Sequence, residues 1–269
     1  MTSTAYICMT CGVQFAPSST PPSRCDVCED ERQYVGWSGQ QWGTLDELQR
    51  DHINEIREDL GLTSIGTKPS FAIGQRALLV RSPAGNLLWD CITLIDDATA
   101  TSIRELGGVR AIAISHPHYY SSMVEWSHCF NAPIYLHAAD RRWVMRPDDA
   151  IQFWSEDIKA LWDGMTLIRA GGHFEGGTVL HLPAGAEGKG ALLAGDILQV
   201  AQDRRWVSFM YSFPNYIPLP ASEIDRIVAA VEPFDFDRIY GAWWDRNVES
   251  DAKAAVRRSA DRYKRALRS

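Results

Sequence analysis

The chain of 269 residues is long enough to bury a large hydrophobic core and to carry a small additional module. Its formal net charge of −7 disfavours a surface that follows the phosphates of a nucleic acid. No apolar run is long enough to span a bilayer, and the amino terminus lacks the charged start and apolar stretch of a signal peptide. Composition therefore predicts a cytoplasmic protein without a nucleic-acid or membrane partner.

Four of the six cysteines form two CxxC pairs near the amino terminus, Cys8 with Cys11 and Cys25 with Cys28. Four thiolates at this spacing can converge tetrahedrally on one metal ion. Residues 1–36 contain too few large apolar side chains for a core of their own, so a metal would supply the stability that packing does not. The segment resembles rubredoxin-like and zinc-ribbon modules. A structural zinc ion is the simpler interpretation, and an iron centre that passes electrons is the alternative.

Residues 37–70 are expected to form a helical linker between this four-cysteine knuckle, residues 1–36, and a main domain over 71–269. Thr44 followed three residues later by Glu47 is the pattern of a capping box. Apolar side chains continue at helical spacing as far as Leu60, and Gly61 predicts the end of the helix.

From Phe71 onward, short apolar strands alternate with amphipathic helices. Strands are predicted over 77–80, 87–89, 109–115, 133–136, 166–169, 178–182, 191–194 and 238–240. Helices are predicted over 99–106, 138–144, 151–162, 222–231 and 251–267. Strand hairpins mixed with helices predict an α+β fold with functional residues at the ends of strands.

A second group of metal-ligand residue types follows these strands. His116 and His118 come directly after an apolar strand, and an extended backbone would point both imidazoles the same way. His173 follows two glycines, and Asp196 follows the strand that contains Leu193. Imidazole and carboxylate groups are ligands of zinc in catalytic sites, so this group predicts a reactive metal centre.

On these motifs, the segment from Phe71 to the carboxyl terminus resembles the metallo-β-lactamase superfamily. Leu88-Trp89-Asp90 matches its early aspartate, Ser115-His116-Pro-His118 its first metal motif, Gly172-His173-Phe-Glu-Gly-Gly177 its third-histidine loop, and Leu193-Ala-Gly-Asp196 its bridging aspartate. The resemblance implies an αββα sandwich with the metal at the edge between its two sheets.

The chain departs from the family pattern at three ligand positions. Tyr120 and Ser121 stand where HxHxDH has its aspartate and last histidine, and an aromatic residue replaces the late histidine, Trp243 or, with a one-residue shift, Trp244. The resemblance therefore implies one metal rather than two. The implied ligands are His116, His118, His173 and Asp196.

These ligands suit Zn²⁺ best, which gives two zinc ions per chain, one at each cluster, with iron left open at either. Water bound to such an ion could attack an ester, lactone, amide or thioester of a small metabolite. Asp196 is the predicted proton acceptor and Tyr120 the predicted oxyanion donor. The predicted substrate pocket comprises Tyr119, Ser121, Tyr211 and Trp243.

Two other classes of function remain open. One is a redox protein, in which His116, His173 and Asp196 hold an iron ion that receives electrons from a second iron ion in the four-cysteine knuckle. The other is a non-catalytic module with a degenerate site. The partner expected of the hydrolase is a small-molecule substrate, and assembly into a homo-oligomer is left open.

Overall fold

The computed structural model describes residues 3–268, which divide into two compact units. The first unit extends to Leu136 and includes Arg141–Phe153, and the second contains His137–Asp140 and the described chain from Trp154 onward. Among the helices of residues 3–268, none combines the length and apolar character needed to cross a membrane.

Between residue 3 and Trp154, the described chain forms a small two-stranded sheet, a seven-stranded sheet and four α-helices. The strands are β1 (Ile7–Cys8), β2 (Trp42–Gly43), β3 (Ile53–Asp59), β4 (Leu62–Lys68), β5 (Ala77–Val80), β6 (Leu87–Trp89), β7 (Ala111–Ala113), β8 (Ile134–His137) and β9 (Ile151–Trp154), and the helices are α1 (Asp26–Glu29), α2 (Leu45–Asp51), α3 (Asp97–Glu105) and α4 (Met123–Phe130). The seven strands from β3 to β9 lie in chain order. Strands β6, β7 and β8 are parallel, so their carboxyl ends share one edge of the sheet.

The prediction of a helical linker over residues 37–70 is wrong beyond Asp51. The capping box is confirmed, since the Thr44 hydroxyl accepts from the Glu47 backbone and the Glu47 carboxylate accepts from the Thr44 backbone. The helix that it begins, α2, ends after seven residues. Strands β3 and β4 then pair antiparallel through Leu60 and Gly61, which both adopt positive φ. Gly61 therefore belongs to a hairpin turn and not to the end of a helix.

The helix predicted over residues 151–162 is also wrong. The segment contains β9 and a further strand, β10 (Ile158–Ala160). The strands predicted over 77–80, 87–89, 166–169 and 178–182 are confirmed, whereas the one predicted over 109–115 is only Ala111–Ala113. Residues Ala138–Trp143 form a 3₁₀ helix in place of the α-helix predicted over 138–144.

The second unit is built on a six-stranded sheet. Besides β10, the strands of this unit are β11 (Thr166–Arg169), β12 (Thr178–Leu182), β13 (Ala191–Gly195), β14 (Gln199–Val200), β15 (Val207–Ser208), β16 (Met210–Ser212), β17 (Ile217–Pro218), β18 (Arg238–Gly241) and β19 (Asn247–Val248). The helices of this unit are α5 (Gly185–Gly188), α6 (Ala221–Val231) and α7 (Ala252–Ala266). Strands β14 and β15 form a separate two-stranded sheet, as do β16 and β17. The order in the six-stranded sheet is β10-β11-β12-β13-β18-β19. Helices α6 and α7 contribute Ile227 and Val256 to an apolar core with Leu192 and Ile239 of the sheet, as the amphipathic helices predicted at these places would require.

The four-cysteine knuckle is anchored in the first unit by a separate apolar cluster. Ile7 of β1 packs with Leu48 of α2 and with Phe71 and Leu94. All four side chains are buried. The helix α2 thus covers the knuckle on one side, and residues 1–36 do not depend on their own few apolar side chains alone.

An ion pair with a buried cation links the β3–β4 hairpin to the segment before β5 and tests the place of the hairpin in the fold. The Arg76 guanidinium is buried and pairs with Asp59 at the end of β3. Asp59→Asn leaves that cation without its carboxylate, so we expect a loss of about 3 kcal/mol in the free energy of unfolding. Denaturant unfolding should show this loss, and Asp51→Asn at the exposed end of α2 should not. Equal unfolding midpoints for both variants and wild type would contradict the assignment.

Candidate metal centres

The four-cysteine knuckle brings its cysteines together as predicted. The four Sγ atoms all lie within 4.8 Å of one another, and each side chain is buried. The Cys8 and Cys28 sulfurs are 3.5 Å apart, and those of Cys11 and Cys25 are 3.7 Å apart. Gly12, at positive φ, donates its N–H to the Cys8 carbonyl at 2.8 Å and so turns the chain back at the first pair. These contacts give the geometry of a closed, four-ligand site.

The chemistry of this cluster fits a cation. Hydrogen bonds with the Cys25, Cys28 and Cys8 thiols, together with complete burial, raise the pKa of the Cys11 thiol well above its ordinary value. Four sulfurs this close cannot all ionise unless a positive charge lies among them. A divalent ion that prefers thiolate ligands supplies that charge, and zinc or iron meets the requirement.

The first two histidines lie at the carboxyl edge of the parallel strands. Asp90, which follows β6, accepts the Ser115 N–H at 2.7 Å and fixes the start of the histidine loop, residues 115–121. Pro117–Tyr119 is a 3₁₀ helix capped by His116, so the extended backbone predicted for this pair is wrong. The rings of His116 and His118 nevertheless lie 5.3 Å apart between centroids, and both are buried. The 3₁₀ turn brings them together in place of a strand.

The third histidine belongs to the loop between β11 and β12 in the second unit. Its Nδ1 lies 2.7 Å from the Tyr211 carbonyl oxygen, which can only accept. Nδ1 therefore carries the proton, and Nε2 of His173 presents a lone pair. Gly172 precedes it at φ 81°, where an added Cβ would approach Ile227 Cδ1 to 2.6 Å. Only glycine fits this position of the loop.

The same loop is held by a buried carboxylate. Asp140 accepts the Gly176 N–H at 3.0 Å and is only 2% exposed. Next to it, His137 packs edge-on against Trp154, with ring centroids 4.6 Å apart, and its Nδ1 accepts from the Ala139 N–H. Burial lowers the pKa of His137, which favours the neutral ring. These contacts agree with a structural role for His137.

One ligand atom from each of His116, His118 and His173 lies within 4.8 Å of the others. All three rings are buried, and three neutral imidazoles are a donor set that zinc accepts readily. Asp196 follows β13 and is also buried, but within the described residues it is not part of this 4.8 Å group. Its ligation of the metal stays a prediction.

The predicted catalytic and pocket residues lie in different surroundings. The ring of Tyr119 is 4.3 Å from that of His116 between centroids, and Tyr211 holds His173 through its carbonyl. Trp243 is half-buried in the turn between β18 and β19. Tyr120 is buried and lines a small cavity beside Val13 and Gln14 of the knuckle.

Ser121 is engaged through both its side chain and its backbone, and its place in a substrate pocket stays a prediction. Its hydroxyl accepts from Gln75 Nε2 at 3.0 Å and donates to the Cys91 carbonyl at 3.3 Å. Its backbone adopts φ 46°, and its own carbonyl accepts from the Gln14 N–H. Ser121 is thus committed to hydrogen bonds that hold the loop.

Sequence reasoning missed three residues that support the histidines: Gln14, Gln75 and Asp140. None belongs to a metal motif, and each acts by a hydrogen bond to a distant segment. Asp140 could have been found from its position, because it follows shortly after the end of β8 at His137, as Asp90 follows the end of β6. Gln14 and Gln75 gave no such signal.

The fold and the two clusters place the chain among proteins of the metallo-β-lactamase fold, as predicted. The DIM-1 metallo-β-lactamase superposes with a TM-score of 0.58 at 12% identity in a structure exposed to ceftazidime, over 79% of this chain and 97% of that one. A metallo-β-lactamase of Cronobacter sakazakii with a HARLDQ motif gives 0.51 at 18% identity, over 77% and 90%. A B3 metallo-β-lactamase described as having an active-site glutamic acid gives 0.52 at 14% identity, over 84% and 94%. At these identities the likeness concerns the fold alone.

A much nearer relative is the uncharacterized protein YmaE of Bacillus subtilis (strain 168). It is 52% identical over 267 residues, which cover 98% of this chain and 97% of that protein. The chain therefore belongs to the same family as YmaE. No protein-family model matches the sequence.

The hydrogen bond from Gly176 to Asp140 gives a test of how His173 is positioned. Asp140→Ala removes the acceptor that holds the loop, so we expect the metal affinity of the histidine cluster to fall about tenfold or more. Asp140→Asn keeps an acceptor oxygen and should lose less. Metal-competition titrations would measure both, with exposed Asp149→Ala as the control. Wild-type affinity in Asp140→Ala would show that the loop holds its shape without this carboxylate.

Proposed function

We propose that the protein is a metal-dependent hydrolase with a mononuclear centre at His116, His118 and His173. The substrate class is an ester, lactone, amide or thioester of a small metabolite. The observation that carries this proposal is the group of three buried imidazoles within 4.8 Å. The Tyr211 carbonyl supports it further, because it fixes His173 in the tautomer whose Nε2 can bind a metal.

A divalent ion, when bound, supplies Lewis acidity to a carbonyl oxygen and lowers the pKa of water at the site. The residues must then handle the proton that the water loses. Asp196 is the proposed acceptor of this proton, because it is a buried carboxylate directly after β13. Its position also matches the bridging aspartate of the metallo-β-lactamase superfamily. Ligation of the ion by Asp196 is part of the same proposal.

A single ion is proposed because the residues at the other ligand positions are poor ligands. Tyr120 and Trp243 offer a phenol and an indole, neither of which binds zinc as imidazole or carboxylate does. The Ser121 hydroxyl is engaged with Gln75 and the Cys91 carbonyl. The knuckle is proposed to hold a second, structural zinc among its four thiolates, which takes no direct part in the chemistry.

The hydrolase proposal is tested by metal-dependent turnover. Zinc-loaded protein should hydrolyse at least one member of a panel of esters, lactones, amides and thioesters, and a chelator should abolish this activity until zinc is restored. His173→Ala should lose both the metal of the histidine cluster and turnover, because a three-ligand site loses one ligand. His128→Ala is the matched control, since His128 is an exposed histidine paired with Asp148. Loaded wild-type protein that turns over no member of the panel would favour the non-catalytic module.

The proposed oxyanion donor is tested by comparing two neighbouring tyrosines. Tyr120→Phe should lower kcat by about tenfold to a thousandfold with unchanged metal content, the range for the loss of one oxyanion donor. Tyr119→Phe is the matched variant, because Tyr119 is equally buried and lies against His116. If only Tyr119→Phe slows turnover, the donor is Tyr119. If neither does, both phenols serve packing alone.

A further inference from the structure

The four-cysteine knuckle is bonded directly to the histidine loop. The backbone N–H of Gln14, three residues after Cys11, donates to the Ser121 carbonyl at 3.0 Å. Ser121 itself is three residues after His118 and adopts φ 46°, a conformation that a residue other than glycine keeps only when its surroundings hold it. The end of the histidine loop is therefore fixed by a bond from the knuckle.

A side-chain network reinforces this bond. Gln14 Nε2 donates to the Glu125 carboxylate at 3.3 Å, and Arg146 donates to both the Gln14 side-chain oxygen and, at 2.5 Å, the Glu125 carboxylate. Glu125 lies in the first turn of α4, which begins two residues after Ser121. Gln14 itself is only 3% exposed, and its partners Arg146 and Glu125 are partly buried, so an unpaired amide at this position would be costly.

The other end of the histidine loop is held by residues that flank β5 and β6. Asp90 accepts from Ser115, and the next residue, Cys91, offers its carbonyl to Gln75 Nε2 at 2.8 Å. The same Gln75 amide reaches the Ser121 hydroxyl. Residues 115–121 are thus fixed at both ends, and the knuckle supplies part of the fixation at the end near His118.

The position of Gln14 depends in turn on the cysteine cluster. The Cys8 N–H donates to the Val13 carbonyl at 3.0 Å, and the Phe15 N–H donates to the Tyr6 carbonyl at 2.8 Å. These two bonds enclose Gln14 in a short hairpin that includes Cys8 and carries Cys11 in its turn. Because Cys8 and Cys11 both lie in this hairpin, opening the cluster is expected to loosen the turn that positions the donor of the Gln14–Ser121 bond.

We propose that Gln14 is a positioning residue that makes the histidine centre depend on the knuckle. An intact cysteine cluster holds Gln14 against Ser121 and Glu125, and these contacts hold His118 in its metal-binding position. The inference rests on the proposed metal binding by the histidines, but it does not require that the site be catalytic. Groups that hydrogen-bond directly to a metal ligand change metal affinity by about 10–100-fold when removed, and Gln14 acts one contact further from the ligand, so the lower end of that range is expected.

The first test removes the Gln14 side chain and leaves the cysteines untouched. In Gln14→Ala, the affinity of the histidine centre for Co²⁺ should fall about tenfold, while thiolate-to-cobalt absorption from the knuckle stays unchanged. Gln41→Ala is the matched control, because Gln41 is an exposed glutamine directly before β2, close to the same knuckle. Gln14→Ala keeps the backbone N–H that bonds Ser121, so equal affinities in this variant and wild type would overturn the positioning role of the Gln14 side chain. Wild-type protein without any cobalt at the histidines would overturn the proposed function instead.

A charge swap separates positioning from general stability. Gln14→Glu alone sets a second carboxylate beside Glu125 and should weaken the histidine centre. Adding Glu125→Gln restores one carboxylate and one amide around Arg146, so the double variant should recover most of the lost affinity. Thermal unfolding of each variant is measured alongside. Affinity that follows melting temperature rather than the presence of the amide–carboxylate pair would contradict the positioning role.

The last experiment removes one of the four cysteines of the knuckle. Cys25→Ser should lose the knuckle metal and also lower Co²⁺ affinity at the histidines by at least as much as Gln14→Ala does. Cys129→Ser, at a half-buried cysteine outside the cluster, is the control and should change neither site. Full retention of histidine-bound cobalt in a folded Cys25→Ser variant would refute the dependence on the knuckle.

Discussion

The structure depends on the burial of two groups of side chains that have the chemistry and spacing to hold a metal ion. Four thiols lie within 4.8 Å at the amino terminus, and three imidazoles lie within 4.8 Å at the histidine cluster. Each group is buried away from water. Buried polar side chains are stable only when they have compensating partners. A cation would compensate each cluster, so metal binding and the stability of the surrounding loops are one problem in this fold.

In both units, the loop that carries the histidines is held by the same kind of hydrogen bond. A buried aspartate after a strand accepts a backbone N–H from the loop: Asp90 from Ser115 in the first unit, and Asp140 from Gly176 in the second. A carboxylate that accepts such a bond holds the backbone more firmly than a neutral acceptor does. The imidazoles can then stay in place although none of them belongs to a strand or an α-helix.

The sequence predicted the features that show a local side-chain pattern or match a motif. The strand over 178–182, the capping box at Thr44 and the paired cysteines follow from local patterns. The β3–β4 hairpin was missed because Leu48, Ile56 and Leu60 also fit a helical period, and pairing with β5 overrides that local pattern. The support from Gln14 was missed for a related reason, since its bond to Ser121 joins residues far apart in sequence.

Anomalous diffraction from crystals of the protein purified with zinc would locate both metal ions in one experiment. Two peaks per chain are expected, one among the four cysteine sulfurs and one among the three imidazoles. A pair of peaks about 3.5–4 Å apart at the histidines would contradict the mononuclear centre. Strong density at the cysteines with none at the histidines would contradict metal binding by His116, His118 and His173 altogether.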